Sequence, residues 1–153
     1  MGYFKLISLL FFTAAILVLP SYAGTAVPRP TPSDKPAYTG YKGIEIGMAA
    51  VDVHKKLGNP KDTADRHEDY VFSDNESAQI FLDGDGKVMA ITVTFVGKLD
   101  KAPSAKDVFG EDAEVKPDGG IFKMERYPKA GFWISYTKTG GDDPMIMLAI
   151  QKM

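Results

Sequence analysis

From about Tyr41 onward the chain alternates between apolar and polar positions with two different periods. In KVMAITVTF, residues 87–95, the side chains Met89, Ile91, Val93 and Phe95 alternate with smaller or polar ones. That period of two is the one a half-buried strand requires. The runs DYVF, SAQIFL, GIFKMERY, GFWISYTK and PMIMLAIQKM are strand-like in the same way. Two stretches follow the helical period instead. GIEIGMAAVDVHKKLGNP reads as a short apolar lead-in followed by one compact helix with Met48, Val51, Val53 and Leu57 as its apolar positions. Gly58 at the C-cap place and Pro60 after it stop that helix within two to three turns. SAKDVFGED is a shorter helical piece and ends at Gly110 as the first ends at Gly58.

The order of these elements repeats. LGNP corresponds to FGED, YVF to IFKMERY, and QIFLDGDGKVMAITVTF to FWISYTKTGGDDPMIMLAI, a duplication with a period near 50 residues. The sequence therefore predicts two αβββ halves. Runs of strands joined by tight turns, with a helix at the start of each half, belong to the α+β class, in which an antiparallel sheet carries short helices packed on one face. The segment IEIGMAAVDVHKKLGNP, then a tyrosine-containing strand, then FLDGDGKVMAI resembles the SmpA/OmlA (BamE-like) domain pattern: a Gly-Met helix start, a valine one turn on, Leu-Gly-x-Pro at its end, and a strand, Asp/Gly turn, strand hairpin. Two such units in tandem are similar to the β-lactamase-inhibitor-protein fold. The resemblance spans residues 44–95 closely and the second half in outline. It implies an extracytoplasmic protein that works by binding other proteins. The lipoprotein members carry a lipidated cysteine, which this chain lacks.

The residues ahead of this pattern are of a different kind. MGYFKLISLLFFTAAILVLPSYA has the three parts of a secretory signal: Lys5 as a positive start, an apolar stretch from Leu6 to Leu19, and small residues at Ser21 and Ala23 after the helix-breaking Pro20. The apolar stretch falls short of the roughly 18 to 20 residues a membrane span needs, so cleavage after Ala23 is expected rather than a retained anchor. Residues 1–23 are thus read as signal peptide, 24–40 as a Pro-rich leader, and 41–153 as the folded domain. No membrane span is expected after cleavage, and the expected location is the periplasm or the exterior.

Charge and cysteine usage narrow the function classes. The 153 residues carry 18 basic and 20 acidic side chains, a net charge of −2, with no cysteine. No run of lysine or arginine interleaves with aromatics, so the footprint of a nucleic-acid binder is missing. Without cysteine, an exported domain depends on packing alone, and thiolate catalysis and cysteine-ligated metal are excluded.

The candidate chemical motifs resolve into turns. In FLDGDGKV, Asp83 and Asp85 match the first positions of a calcium loop. Lys87, Val88 and Thr94 then occupy places where an oxygen ligand, a glycine and a bidentate glutamate are needed. A tight hairpin with Gly84 and Gly86 at positive φ fits the same residues. TKTGGDDPM holds the equivalent place in the second half and lacks the Gly-Lys-Ser/Thr of a phosphate loop. His54 and His67 are too few and too far apart for a zinc set and are read as surface histidines. Ser73, Ser77, Ser104 and Ser135 have no nucleophile signature around them. No catalytic residue, metal or cofactor is expected.

Strand parity yields one further expectation. Helices should cover the face with Ile80, Leu82, Met89, Ile91, Val93, Phe95, Phe132, Ile134, Ile146, Leu148 and Ile150. The other face then carries Phe81, Val88, Ala90, Thr92, Thr94, Trp133, Ser135, Met145 and Met147. A free antiparallel face is normally polar, and this one holds the single tryptophan. Either the leader or a loop covers it, or Phe81, Thr92, Trp133, Met145 and Met147 contact another extracytoplasmic protein or a second copy. The expected function is that of a non-enzymatic binding module, inhibitor-like or an accessory subunit. A non-lipidated outer-membrane assembly factor and a small extracytoplasmic hydrolase are the alternatives.

Overall fold

Local sequence signals set the two helices. The computed structural model describes residues 35–153, so the signal segment and most of the Pro-rich leader lie outside the described residues. Helix α1 (Ala50–Leu57) ends where Gly58, at φ 82°, turns its N–H back to the His54 carbonyl. Helix α2 (Ala105–Phe109) opens on a capping box, in which the Ser104 hydroxyl accepts from the Asp107 N–H and the Asp107 carboxylate accepts from the Ser104 N–H. Gly110 closes it in the left-handed conformation.

The strands form two sheets. A small hairpin pairs β1 (Gly40–Tyr41) with β2 (Ile44–Glu45). The main sheet holds β3 (Asp62–Ala64), β4 (His67–Ser73), β5 (Glu76–Leu82), β6 (Val88–Phe95), β7 (Ile121–Tyr127), β8 (Phe132–Lys138) and β9 (Ile146–Lys152). Its spatial order is β3-β4-β5-β6-β9-β8-β7, with every neighbouring pair antiparallel. Among the described residues the fold is α+β: an antiparallel sheet with two short helices. β1, β2 and β3 are two or three residues long, too short to show a period.

The core lies between the helices and one sheet face. Its middle row crosses six strands, pairing Glu68, Ile80, Ile91, Ile150, Ile134 and Glu125 in sequence. The four isoleucines are fully buried, and Val53 of α1 and Val108 of α2 join the same cluster. Each glutamate at the ends of that row accepts from the tyrosine two residues on, Tyr70 Oη at 2.9 Å and Tyr127 Oη at 2.8 Å. Burial first, and the adjacent carboxylate second, push both tyrosine hydroxyls above their ordinary pKa.

Several sequence expectations are corrected here. Val51 points outward from α1, whereas Val53 is buried. Val88 and Met89 exchange faces. The Val88 N–H donates to the Met48 carbonyl and its own carbonyl accepts from Gly47, so the residue is drawn under α1. The register shifts between Phe81 and Leu82, a bulge that turns Met89 toward the other face. In the DGDG turn only Gly86, at φ 70°, has positive φ; Gly84 does not. Asp83 Oδ1 instead accepts from the Asp85 and Lys87 N–H groups, both at 3.0 Å, and those bonds hold its carboxyl below the usual range.

The two ends of the main sheet differ. β3 is three exposed residues long, and at the other end Val115 bridges to Ile121 at the start of β7, with the Lys116 N–H donating to the Gly120 carbonyl.

Candidate functional site

The outward parity of the main sheet builds a continuous grid. Its first row runs His67, Phe81, Ala90, Gln151, Trp133, Arg126; its second Asp69, Gln79, Thr92, Ala149, Ser135, Met124; its third Val71, Ser77, Thr94, Met147, Thr137, Phe122. Period-two alternation puts these on one face because their strand neighbours Glu68, Tyr70, Ile80, Ile91, Ile134 and Leu148 are buried on the other. Among the described residues both helices bury their side chains on that other face. Here Val71 is 52%, Phe122 58%, Met124 46% and Met147 40% exposed. Four large apolar side chains on one open face is a high concentration for solvent.

The two halves of the face differ in relief. Over β4, β5 and β6 lie two adjoining open depressions of about 620 and 410 Å3 that share Thr92 as a lining residue. Phe81, Met89, Ala90 and Gln151 line the larger one, beside the Asp65–His67 turn. The bulge that displaces Met89 supplies part of its apolar wall. Over β7, β8 and β9 Phe122, Met124 and Met147 are exposed around the small Ala149 and Ser135, and Trp133 is half-buried between Gln151 and Arg126.

Charge on the face is also uneven. Asp62 lies directly across from Asp69 at the β3–β4 end. Asp69 accepts from Gln79 Nε2 at 2.8 Å and pairs with His67 Nε2 at 3.3 Å, while the His67 ring tilts against Phe81 at 5.6 Å. At the β7 end Arg126 is exposed. Arg66 is likewise exposed at the turn that precedes β4.

The face brings together four of the five residues expected from the sequence: Phe81, Thr92, Trp133 and Met147. Met145 sits just before β9 in the β8–β9 connection, its N–H bonded to Thr139 Oγ1 and its carbonyl to the Thr139 N–H. Sequence parity missed Val71, Phe122 and Met124. Phe122 and Met124 are the outward positions of the alternation in IFKMERY.

The polar clusters on the helix side are structural in geometry. His54 Nε2 meets the buried Glu68 carboxylate at 2.7 Å, so His54 is no bare surface histidine but ties α1 to β4. Lys123 bridges Glu111 and Glu125, and its ammonium stands 5.0 Å from the Phe109 ring centre. Burial lowers the Lys123 pKa, but the two carboxylates outweigh it and hold it above the ordinary lysine value. At the other end of the core the Glu76 carboxylate takes the Tyr41 hydroxyl and the Lys42 ammonium, the latter at 2.8 Å. Burial would raise Glu76, yet these two donors keep it below the usual carboxylate range. Among the described residues no three His, Asp or Glu side chains converge as a metal site would, and no helix is long and apolar enough to cross a membrane.

No protein-family model and no curated protein matches the chain. Among solved structures the chain is similar to a DUF4309 family protein (YjgB) from Bacillus subtilis subsp. subtilis str. 168, with 12% sequence identity and a TM-score of 0.48, over 73% of this chain and 84% of that one.

Proposed function

We propose that this chain is an exported, non-enzymatic protein-binding module that docks its partner on the open face of the main sheet. The observation that carries the reading is the grid itself: Val71, Phe122, Met124 and Met147 stand exposed beside Phe81 and Trp133, and both described helices bury their side chains on the opposite face. Large aromatic and methionine side chains on a rigid sheet supply contact area at low entropic cost, and hydroxyl and amide groups between them give a partner hydrogen bonds to match. The signal-like residues 1–23 support export to the periplasm or the exterior.

The fold reading behind this proposal is two αβββ halves, as in the tandem BamE-like and β-lactamase-inhibitor-like arrangement. Two features support it. The strand order β4-β5-β6-β9-β8-β7 reverses about its centre. The core row also reads the same from both ends, as glutamate, isoleucine, isoleucine on each side, with a Glu-x-Tyr bond on the outer strand of each half.

Photo-crosslinking in the exporting cell tests the docking reading. A crosslinker in place of Thr92 or Ser135 should give discrete adducts, and one in place of Lys55 on α1 should give none. Equal yields from both faces, or none from the open face, would overturn it.

A further inference from the structure

The larger depression of the open face ends against a charged turn. Phe81, Leu82, Met89 and Ala90 give it an apolar floor and wall, and its volume of about 620 Å3 falls within the roughly 300–1,000 Å3 of small-ligand sites. Asp65 and Arg66, the two residues that join β3 to β4, line the same depression. We propose that it binds a small apolar α-amino acid, with the side chain seated on Phe81 and Met89, the ammonium on Asp65 and the carboxylate on Arg66. The site lies on the open face but does not rest on a protein docking there.

Two backbone features shape the site. The register shift at Phe81 and Leu82 makes Met89 an extra residue of β6 beside Ala90, so a long apolar side chain borders a small floor position. The turn is the second feature. Only two residues join Ala64 to its cross-strand partner His67, and Asp65 takes φ 47°, a left-handed conformation that is costly for a residue with a side chain. The Leu82 N–H donates to the Arg66 carbonyl at 2.7 Å, which holds the turn against the end of β5 at the rim of the depression. Backbone strain that the surrounding structure holds in place is found at ligand clamps.

Charge selects the ligand. Asp65 and Arg66 are exposed, and among the described residues neither enters an ion pair, with the other or with a third group. His67, also on the lining, is already turned to Asp69 at 3.3 Å, and its ring lies against Phe81. Gln151 and Thr92 add neutral hydrogen-bonding groups and leave the balance of charge unchanged. One carboxylate and one guanidinium on Cα atoms about 3.8 Å apart suit a ligand whose own opposite charges are close together. An α-amino acid carries both on one carbon, and a guanidinium takes a carboxylate in a bidentate pair. A fatty acid or an alkyl amine would answer only one of the two side chains.

An NMR titration of the isotope-labelled chain with L-phenylalanine tests this. The amide signals of Arg66, His67, Leu82 and Ala90 should shift and saturate below about 10 mM ligand, while that of Lys55 on α1 stays still. Glycine, which has no apolar body, should not saturate in that range. Phenylalaninamide lacks the carboxylate and N-acetylphenylalanine lacks the ammonium, so each should bind at least about threefold more weakly than L-phenylalanine. Arg66→Gln should abolish the preference over the amide and keep the preference over the acetylated ligand. Asp65→Asn, which retains a residue tolerant of positive φ, should do the reverse. The same spectra show that each variant is folded. No saturation by L-phenylalanine, saturation confined to other signals, or preferences that survive both substitutions would sink the proposal, and none of these outcomes alters the crosslinking test of protein docking.

Discussion

Replacing Glu68 by alanine removes the acceptor at one end of the isoleucine row and tests how far that row depends on its polar ends. Two donors lose their partner: Tyr70 Oη, which reaches Glu68 at 2.9 Å from a buried ring, and His54 Nε2, which reaches it at 2.7 Å from a part-exposed one. The imidazole turns to water at small cost. The tyrosine hydroxyl has no such route, and a buried donor left unsatisfied costs about 1–3 kcal/mol. With the lost tie between α1 and β4, the expected destabilisation is about 3 kcal/mol. For a domain of this size that lowers the melting temperature by roughly 10 °C. Glu68→Gln keeps an acceptor and should cost about 1 kcal/mol. The decisive measurement is the double variant Glu68→Leu with Tyr70→Phe, which deletes donor and acceptor together. Urea denaturation should place it closer to wild type than Glu68→Ala, because no orphaned hydroxyl remains. If the double variant loses as much as the sum of Glu68→Leu and Tyr70→Phe measured separately, the two groups are uncoupled and the argument fails.

The DGDG turn and the acid limb of the stability curve give two more outcomes. Gly86→Ala should destabilise by about 1 kcal/mol because residue 86 sits at φ 70°, whereas Gly84→Ala should be neutral; equal losses in thermal melts would contradict the turn geometry. The Glu76 carboxyl is held below its unfolded value by Lys42 and Tyr41, so the unfolded state binds its proton first as pH falls. Its stabilisation is complete above the unfolded carboxylate range near pH 4 to 5 and is lost as pH drops through the lower folded value. Urea midpoints measured across that window should fall less steeply in Glu76→Gln, and an unchanged slope would remove Glu76 from the account.

The longer elements were legible in the sequence for simple reasons. In β8 and β9 the buried positions alternate from the first residue of the strand, in β6 they alternate from Ala90 to Phe95, and the capping residues Gly58, Ser104 and Gly110 announce the helix ends. What escaped depends on contacts between segments. Val88 is buried because the residues before α1 bond to its peptide group, and no local period encodes that. His54 and Glu68 meet across 14 positions of chain. The open face was readable as a parity, but its rows were not. Only the spatial order, with β6 beside β9, puts Phe81 and Trp133 in one line.

The unequal ends of the main sheet bear on how this protein behaves when concentrated. An unguarded terminal strand offers its peptide groups to any other chain, and addition there has no natural limit; that is how ordered aggregates and fibres grow. Here β3 offers only three residues, whereas at the other end the Val115 bridge guards β7 only at Ile121. Lengthening β3, or removing the Val115 bridge to Ile121, should therefore raise the tendency to polymerise, with no change in the core.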